Sequence, residues 1–289
     1  MIVDVHAHCW PGTDCFSASF LADAQRTRAA AATAVSDHEA YRAATGGKDV
    51  VTIVFGGKAR LSGVWLDDAQ VAAYVVHDPR RLLGFLSVDP TQSGWEDELR
   101  TGHEQLGLRG IKLMPMYAGF LPQDERLDPL WRYAAAKGLP VLLHTGTTFI
   151  AKAPLECTLP RNLDEVARRF PDVKIVLAHM GHPYEGETVA VIRKHANVYA
   201  DVSALFYRPW QLFHTLMLVE EYGVWDKLLF GTDFPVTTVE QSVRGLRAMC
   251  DIRIDRFTLP AEEIEALVHR DALSLLGLPD PRGTTEASE

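Results

Sequence analysis

Lys137-Gly138-Leu139-Pro140-Val141-Leu142-Leu143-His144 holds a complete helix-to-strand junction in eight residues. Glycine just past a helical pattern adopts the left-handed conformation that closes a helix, and a proline soon after prevents its continuation. Residues 141–143 are then wholly apolar, as a strand buried on both faces must be. The run ends in a histidine. Before it lies a helical pattern at 130–137. After it come a helical pattern at 163–170, a turn at Phe170-Pro171-Asp172, and a strand at 174–178 followed by another histidine, His179.

Outward from this junction the same unit recurs. Strands are expected at 2–5, 50–55, 83–88, 110–113, 141–144, 174–178, 198–201 and 228–231. Helices are expected between them at 66–76, 95–106, 130–137, 163–170, 188–195, 210–222 and 239–249. Short apolar strands alternating with helices predict a parallel sheet covered on both faces. Eight such units predict a single (β/α)₈ barrel of the TIM type. No Gly-x-Gly-x-x-Gly follows the first strand, which argues against a dinucleotide fold. Gly56-Gly57-Lys58 lacks the spacing of a phosphate loop. The barrel domain is expected over 1–278, with extra C-terminal helices at 260–269 and 271–276 and a frayed tail at 279–289. Residues 11–28 read as a polar loop too long for an ordinary connection, the kind that usually carries function.

Composition narrows the function. The chain has 289 residues, 47% hydrophobic and 23% charged, with a net charge of -9. That suits a soluble globular protein and argues against a nucleic-acid partner, which calls for a basic face. No apolar run reaches membrane-spanning length, so no membrane partner is expected. Four cysteines without a Cys-x-x-Cys pair, and no leader pattern at the start, point to reduced thiols and a cytoplasmic location.

The expected strand ends carry the chemistry. His6 and His8, one residue apart on the first strand, project the same way. Lys112 lies on the fourth strand, His144 ends the fifth, His179 follows the sixth and Asp233 follows the eighth. Separations of 32, 35 and 54 residues from Lys112 to Asp233 fit one, one and two βα units. Each residue has an ordinary explanation alone: a hydrogen-bonded core histidine, a helix cap at Asp233, a salt bridge at Lys112. Burying all of them at the same barrel end would be costly without a shared task. Active sites of this fold lie at that end, so the set reads as a divalent-metal centre.

The motifs Asp4-Val5-His6-Ala7-His8, His144, Ala178-His179-Met180-Gly181 and Gly231-Thr232-Asp233-Phe234-Pro235 resemble the amidohydrolase superfamily. The resemblance is nearest to its amidohydrolase-2 branch, which includes aminocarboxymuconate-semialdehyde decarboxylase-like enzymes, and spans residues 2–278. It implies that His6, His8, His144 and Asp233 hold one divalent ion, zinc foremost with manganese or iron(II) as alternatives, and that no organic cofactor is used. It further implies that Asp233 and His179 act on the water or substrate. Such a ligand set leaves room for water, whose pKa the metal lowers. Some members of the wider superfamily carboxylate a strand-four lysine and bind two metals. Here one metal is expected, with Lys112 binding a substrate carboxylate or polarising its carbonyl.

Trp10, His182 and Arg208 are further substrate-binding candidates, and Cys9 reads as a packed side chain. Tyr207-Arg208-Pro209-Trp210 could equally belong to a subunit interface, and a homodimer or higher homo-oligomer is expected. The favoured function is hydrolysis of an amide, ester or lactone of a small, carboxylate-bearing molecule. Non-oxidative decarboxylation is the alternative, with Lys112, Arg60 and Arg208 as carboxylate holders. A TatD-like phosphoesterase or DNase is disfavoured by the acidic chain and by a lysine where a bridging glutamate would stand.

Overall fold

The computed structural model describes residues 1–45 and 47–283. Its main sheet comprises β1 (Ile2–His8), β2 (Val50–Phe55), β5 (Leu82–Ser87), β6 (Ile111–Leu113), β7 (Val141–Leu143), β8 (Ile175–Leu177), β9 (Val198–Asp201) and β10 (Leu228–Leu229), in that spatial order. A two-stranded hairpin, β3 (Lys58–Ala59) and β4 (Val64–Trp65), stands apart from it. The helices are α1 (Ala18–Arg26), α2 (His38–Thr45), α3 (Asp68–Val76), α4 (Trp95–Arg100), α5 (Pro115–Ala118), α6 (Asp128–Lys137), α7 (Asn162–Arg169), α8 (Glu185–Lys194), α9 (Pro209–Tyr222), α10 (Val239–Ala248), α11 (Ala261–Val268) and α12 (Ala272–Leu276).

All pairings in the main sheet are parallel. Backbone bonds join its two ends. Val5 N donates to Phe230 O at 2.9 Å, Asp233 N to His6 O at 2.8 Å and His8 N to Phe234 O at 2.7 Å. The protein is therefore a (β/α)₈ barrel.

Two apolar clusters show which face of each strand points inward. Val5, Ile53, Phe85, Leu142, Val176, Tyr199 and Leu229 pack with α12, which plugs the amino-terminal end of the barrel. Their neighbours in sequence, such as Val54, Ile111, Leu143 and Leu177, pack with the surrounding helices. Counting by twos along each strand sets the site. His144 lies two beyond Leu142, Asp201 two beyond Tyr199 and Asp233 four beyond Leu229. Lys112 sits between the outward Ile111 and Leu113.

β1 departs from simple alternation. Continued from Val3 and Val5, it would turn His6 and His8 outward. The pairing with β2 slips between Asp4 and Ala7, so that His8 comes to lie opposite Phe55. Such a bulge re-aims the side chains beyond it. The histidine pair enters the barrel because of this one irregularity.

The expected strands and major helices are present, with ends shifted by a few residues. Gly138 closes α6 at φ 65°, as its sequence context predicted. Two expectations need correction. Residues 11–28 are not a bare loop. Ser17 accepts a hydrogen bond from Phe20 N and opens α1, whose Phe20 and Ala24, four apart, bury one face of an otherwise polar segment. The expected helix over 95–106 is α-helical only to Arg100 and continues as a wider π-type turn over Thr101–Gln105. Within the expected tail at 279–289, Arg282 donates to Asp49 at 3.0 Å. Residues 284–289 lie outside the described residues.

The β3–β4 hairpin is anchored by a buried charge cluster. Lys58 Nζ lies 2.9 Å from Asp68 and 2.8 Å from Glu98. Burial pushes the Asp68 carboxyl up to about 6, against the pull of Lys58 and the Ser87 N–H. Removing one partner of a buried pair leaves an uncompensated charge, at about 3–5 kcal/mol. Lys58→Met should therefore lower the urea-measured unfolding free energy by that order. A loss within error of zero would show that the pair adds nothing.

Candidate active site

Phe55, at the end of β2, is the apolar base of the site. Its ring centroid lies 5.0 Å from those of both His6 and His8, and Lys112 Nζ sits 4.4 Å above it. Over this base, Asp233 Oδ1 is 3.3 Å from His6 Nε2 and 3.3 Å from His8 Nε2. Lys112 Nζ is also 3.3 Å from His6 Nε2. Ligand atoms of His6, His179 and Asp233 lie within 4.8 Å of one another. The rings of His144 and His179 meet edge to face at 5.1 Å.

Hydrogen bonding fixes the tautomers. His6 Nδ1 donates to Asp201 Oδ2 at 2.9 Å. A carboxylate only accepts, so this contact puts a proton on His6 Nδ1; a neutral ring then leaves a lone pair on Nε2, which lies 3.3 Å from both Lys112 Nζ and Asp233 Oδ1. Ser203 Oγ donates to Asp201 Oδ1 and accepts from His179 Nδ1 at 2.7 Å, which frees Nε2 of His179 as well. His144 differs: its Nε2 donates to the Thr147 carbonyl at 3.1 Å, leaving Nδ1 unprotonated. A carboxylate behind an imidazole is the usual support of a metal-binding histidine.

The electrostatics favour neutral rings at His8, His144 and His179 around an ionised acid, with His6 as the exception. Burial pushes His8 down to about 4 and His179 down to about 3, and carries His144 well below the ordinary histidine value. For His6, burial and Lys112 pull downward, but Asp201 and Asp233 outweigh them and the net shift is upward. Burial alone would raise Asp233; His179, His6 and His8 together hold it well below the usual carboxylate range. Burial pushes Lys112 down to about 8 against Asp201 and Asp233, so it remains largely protonated at neutral pH.

Local backbone geometry serves these contacts. His179, Ala204 and Asp233 all have positive φ, at 58°, 56° and 58°. Non-glycine residues adopt this region at a cost and collect at functional sites. Gly146, at φ 93°, could not carry a side chain, because a Cβ would lie 2.3 Å from the His182 carbonyl oxygen. That close approach holds the loop after His144 against the one after His179.

A cavity of about 970 Å³ opens above the polar floor. Its walls include Trp10, Phe16, Phe20, Tyr117 and Phe206, and Trp10 stacks on His8 at 4.8 Å. Arg28, Arg208 and Arg244 also line it, and the one carboxylate among its lining residues is Asp233. Trp10, Lys112, His182 and Arg208 thus occupy the expected pocket, with Arg208 against the His182 ring at 3.3 Å. Arg60 does not: its guanidinium stacks 3.7 Å over Trp65, outside the cavity lining. Cys9 is buried, and burial pushes its thiol far up, so it is a packed side chain.

Asp201, Ser203, Phe55 and Arg244 were not singled out from the sequence. Asp201 had a usable signal, as the polar last residue of an apolar strand. Arg244 had none, because one arginine on an amphipathic helix looks like any surface charge.

His182 gives a pH prediction. Burial and the Arg208 charge push it down to about 4. Its folded pKa is depressed, so its contribution to stability is full above the unfolded value near 6.5 and is lost as pH falls through 4. Between pH 7 and pH 4 this group should remove on the order of 2–3 kcal/mol of unfolding free energy. His182→Asn should flatten that part of the urea-measured profile. Parallel profiles for the two proteins would contradict the assignment.

Comparison with known proteins gives the family and the fold. A family model described as Amidohydrolase (Amidohydro_2) matches residues 3–278, and the chain belongs to that family. No curated protein matches the sequence. Among solved structures, an uncharacterised TIM-barrel protein from Bordetella bronchiseptica is 19% identical, with 96% of this chain and 98% of that one covered and a TM-score of 0.73. A probable 2-pyrone-4,6-dicarboxylic acid hydrolase from Acinetobacter baumannii, with citric acid bound, is 16% identical, with coverage of 96% and 99% and a TM-score of 0.66. A dihydroxybenzoic acid decarboxylase from Polaromonas, with manganese and the inhibitor 2-nitroresorcinol, is 15% identical, with coverage of 96% and 96% and a TM-score of 0.62. At these identities the likeness is one of fold. No helix among the described residues is long and apolar enough to cross a membrane.

Proposed function

We propose that the protein is a metal-dependent hydrolase acting on an amide, ester or lactone of a small, carboxylate-bearing substrate. One observation carries the reading: His6, His8 and Asp233 converge on one point, on the floor of a cavity whose other ionised lining groups are cationic.

The donor set suits a divalent ion. Two imidazoles and an ionised carboxylate share the buried floor, and Asp201 orients His6 through Nδ1. His6, His8 and Asp233 would hold the ion, with His144 as fourth ligand through its unprotonated Nδ1. Zinc leads among the candidates, with manganese and iron(II) behind it. When bound, such an ion acidifies water and polarises a carbonyl. The protein's own groups do the rest. Asp233, kept ionised, accepts the proton of the attacking water and delivers it to the leaving group. His179, fixed through Ser203, presents Nε2 to the reacting carbonyl. Lys112 supplies positive charge where the oxyanion develops. The aromatic walls take the apolar body of the substrate, and Arg208 and Arg244 take its carboxylate.

Decarboxylation is the second reading, and a specific observation favours it. Lys112 at the floor and three arginines in the cavity could hold a carboxylate near the ion as well as away from it. A screen of lactones, amides and aromatic carboxylates, following acid release and carbon dioxide separately, decides between them. Acid release without carbon dioxide supports hydrolysis. Carbon dioxide evolution overturns it in favour of the second reading.

A further inference from the structure

A second cavity, of about 620 Å³, lies at the other end of the barrel. Asp49 and Arg81, which line it, immediately precede β2 and β5, so it sits at the amino-terminal ends of those strands. Six residues of strand, about 20 Å, separate it from the active-site end. Its walls bring together His38 and Arg42 of α2, His77, Arg80 and Arg81 after α3, and Arg282 near the C-terminus.

The charges in this cavity are not balanced. Arg282 is engaged by Asp49 at 3.0 Å and Asp280 at 2.7 Å. Arg81 faces Asp78 more loosely, at 3.9 Å. Among the described residues Arg42 and Arg80 have no ion-pair partner, and Asp49 and Asp78 are the only acids among the lining residues. The His38 and His77 rings stack at 4.9 Å and join the α2 wall to the end of α3. The two unpaired guanidiniums thus come from different chain segments and share one concave space, on a chain whose net charge is -9.

We propose that this cavity binds a small anion of the phosphate class: inorganic phosphate, pyrophosphate or a phosphoester. A planar carboxylate is satisfied by a single guanidinium fork, whereas a tetrahedral phosphate offers oxygens in several directions. Guanidiniums on separate walls match the second geometry. The volume admits a diphosphate with water to spare. Nothing in the proposed hydrolysis uses this site.

Isothermal titration of the intact protein with pyrophosphate, and with acetate as control, tests it at constant ionic strength. Saturable pyrophosphate binding is expected, with acetate much weaker. The double variant Arg42→Gln, Arg80→Gln should weaken it at least tenfold. The double variant Arg208→Gln, Arg244→Gln, in the active-site cavity, should leave it unchanged. The single variants Arg42→Gln and Arg80→Gln carry the same test if the first double variant fails to fold. Absence of saturable binding, equal affinity for acetate, or loss only in the Arg208/Arg244 variant would overturn the proposal.

Discussion

Asp233→Asn should lower kcat/KM by about 10²–10⁴-fold and take bound divalent metal well below stoichiometry. The side chain is nearly isosteric, so the fold should survive, and circular dichroism should match that of the parent. What disappears is the negative charge on which His6 and His8 converge, each 3.3 Å from Oδ1. An amide there cannot accept the water's proton. A variant with near-normal turnover would remove Asp233 from the chemistry, and one with normal metal content would remove it from the ligands.

His144 and His179 should separate binding from turnover. The two rings are in edge contact, but their nitrogens are committed differently: His144 Nε2 to the Thr147 carbonyl, His179 Nδ1 to Ser203. With His144 as the fourth ligand, His144→Ala should lose both metal and activity. His179→Gln should keep its metal and lose about 10²–10⁴-fold in kcat. His179 rather than His144 falls within the 4.8 Å cluster with His6 and Asp233, so the two variants discriminate sharply. Metal analysis of the two variants side by side decides it. A metal-free His179→Gln beside a metal-replete His144→Ala would exchange their roles.

Much of this was legible in the sequence because parallel barrel strands write their chemistry at their ends. An apolar run such as Val141-Leu142-Leu143 can only be buried, and the first polar residue beyond it emerges at the active face. His144 and His179 follow from that rule, and Asp233 comes one residue after Thr232, the first polar residue beyond its strand. The bulge in β1 was not legible. It leaves no mark in composition, and plain alternation places the two histidines together without fixing which face they take. Asp201 was passed over because one acid closing a strand reads as an ordinary cap; its role appears only when closure of the barrel brings β1 within two strands of β9 and the His6 ring reaches past β10. α1 escaped notice because its buried face is only Phe20 and Ala24, and α2 because Tyr41 is nearly alone in marking its inner side. Arg28 and Arg244 are brought to one cavity by residues far apart in the chain, which no local pattern records.

A divalent ion held by His6, His8 and Asp233 is expected to enable the reaction. Titrating metal-free protein with zinc or manganese while following both bound metal and turnover tests it most directly. Turnover should be absent at the start, rise in proportion to bound metal and level off at one ion per chain. Full turnover before any metal is added would show that the reaction needs no bound ion.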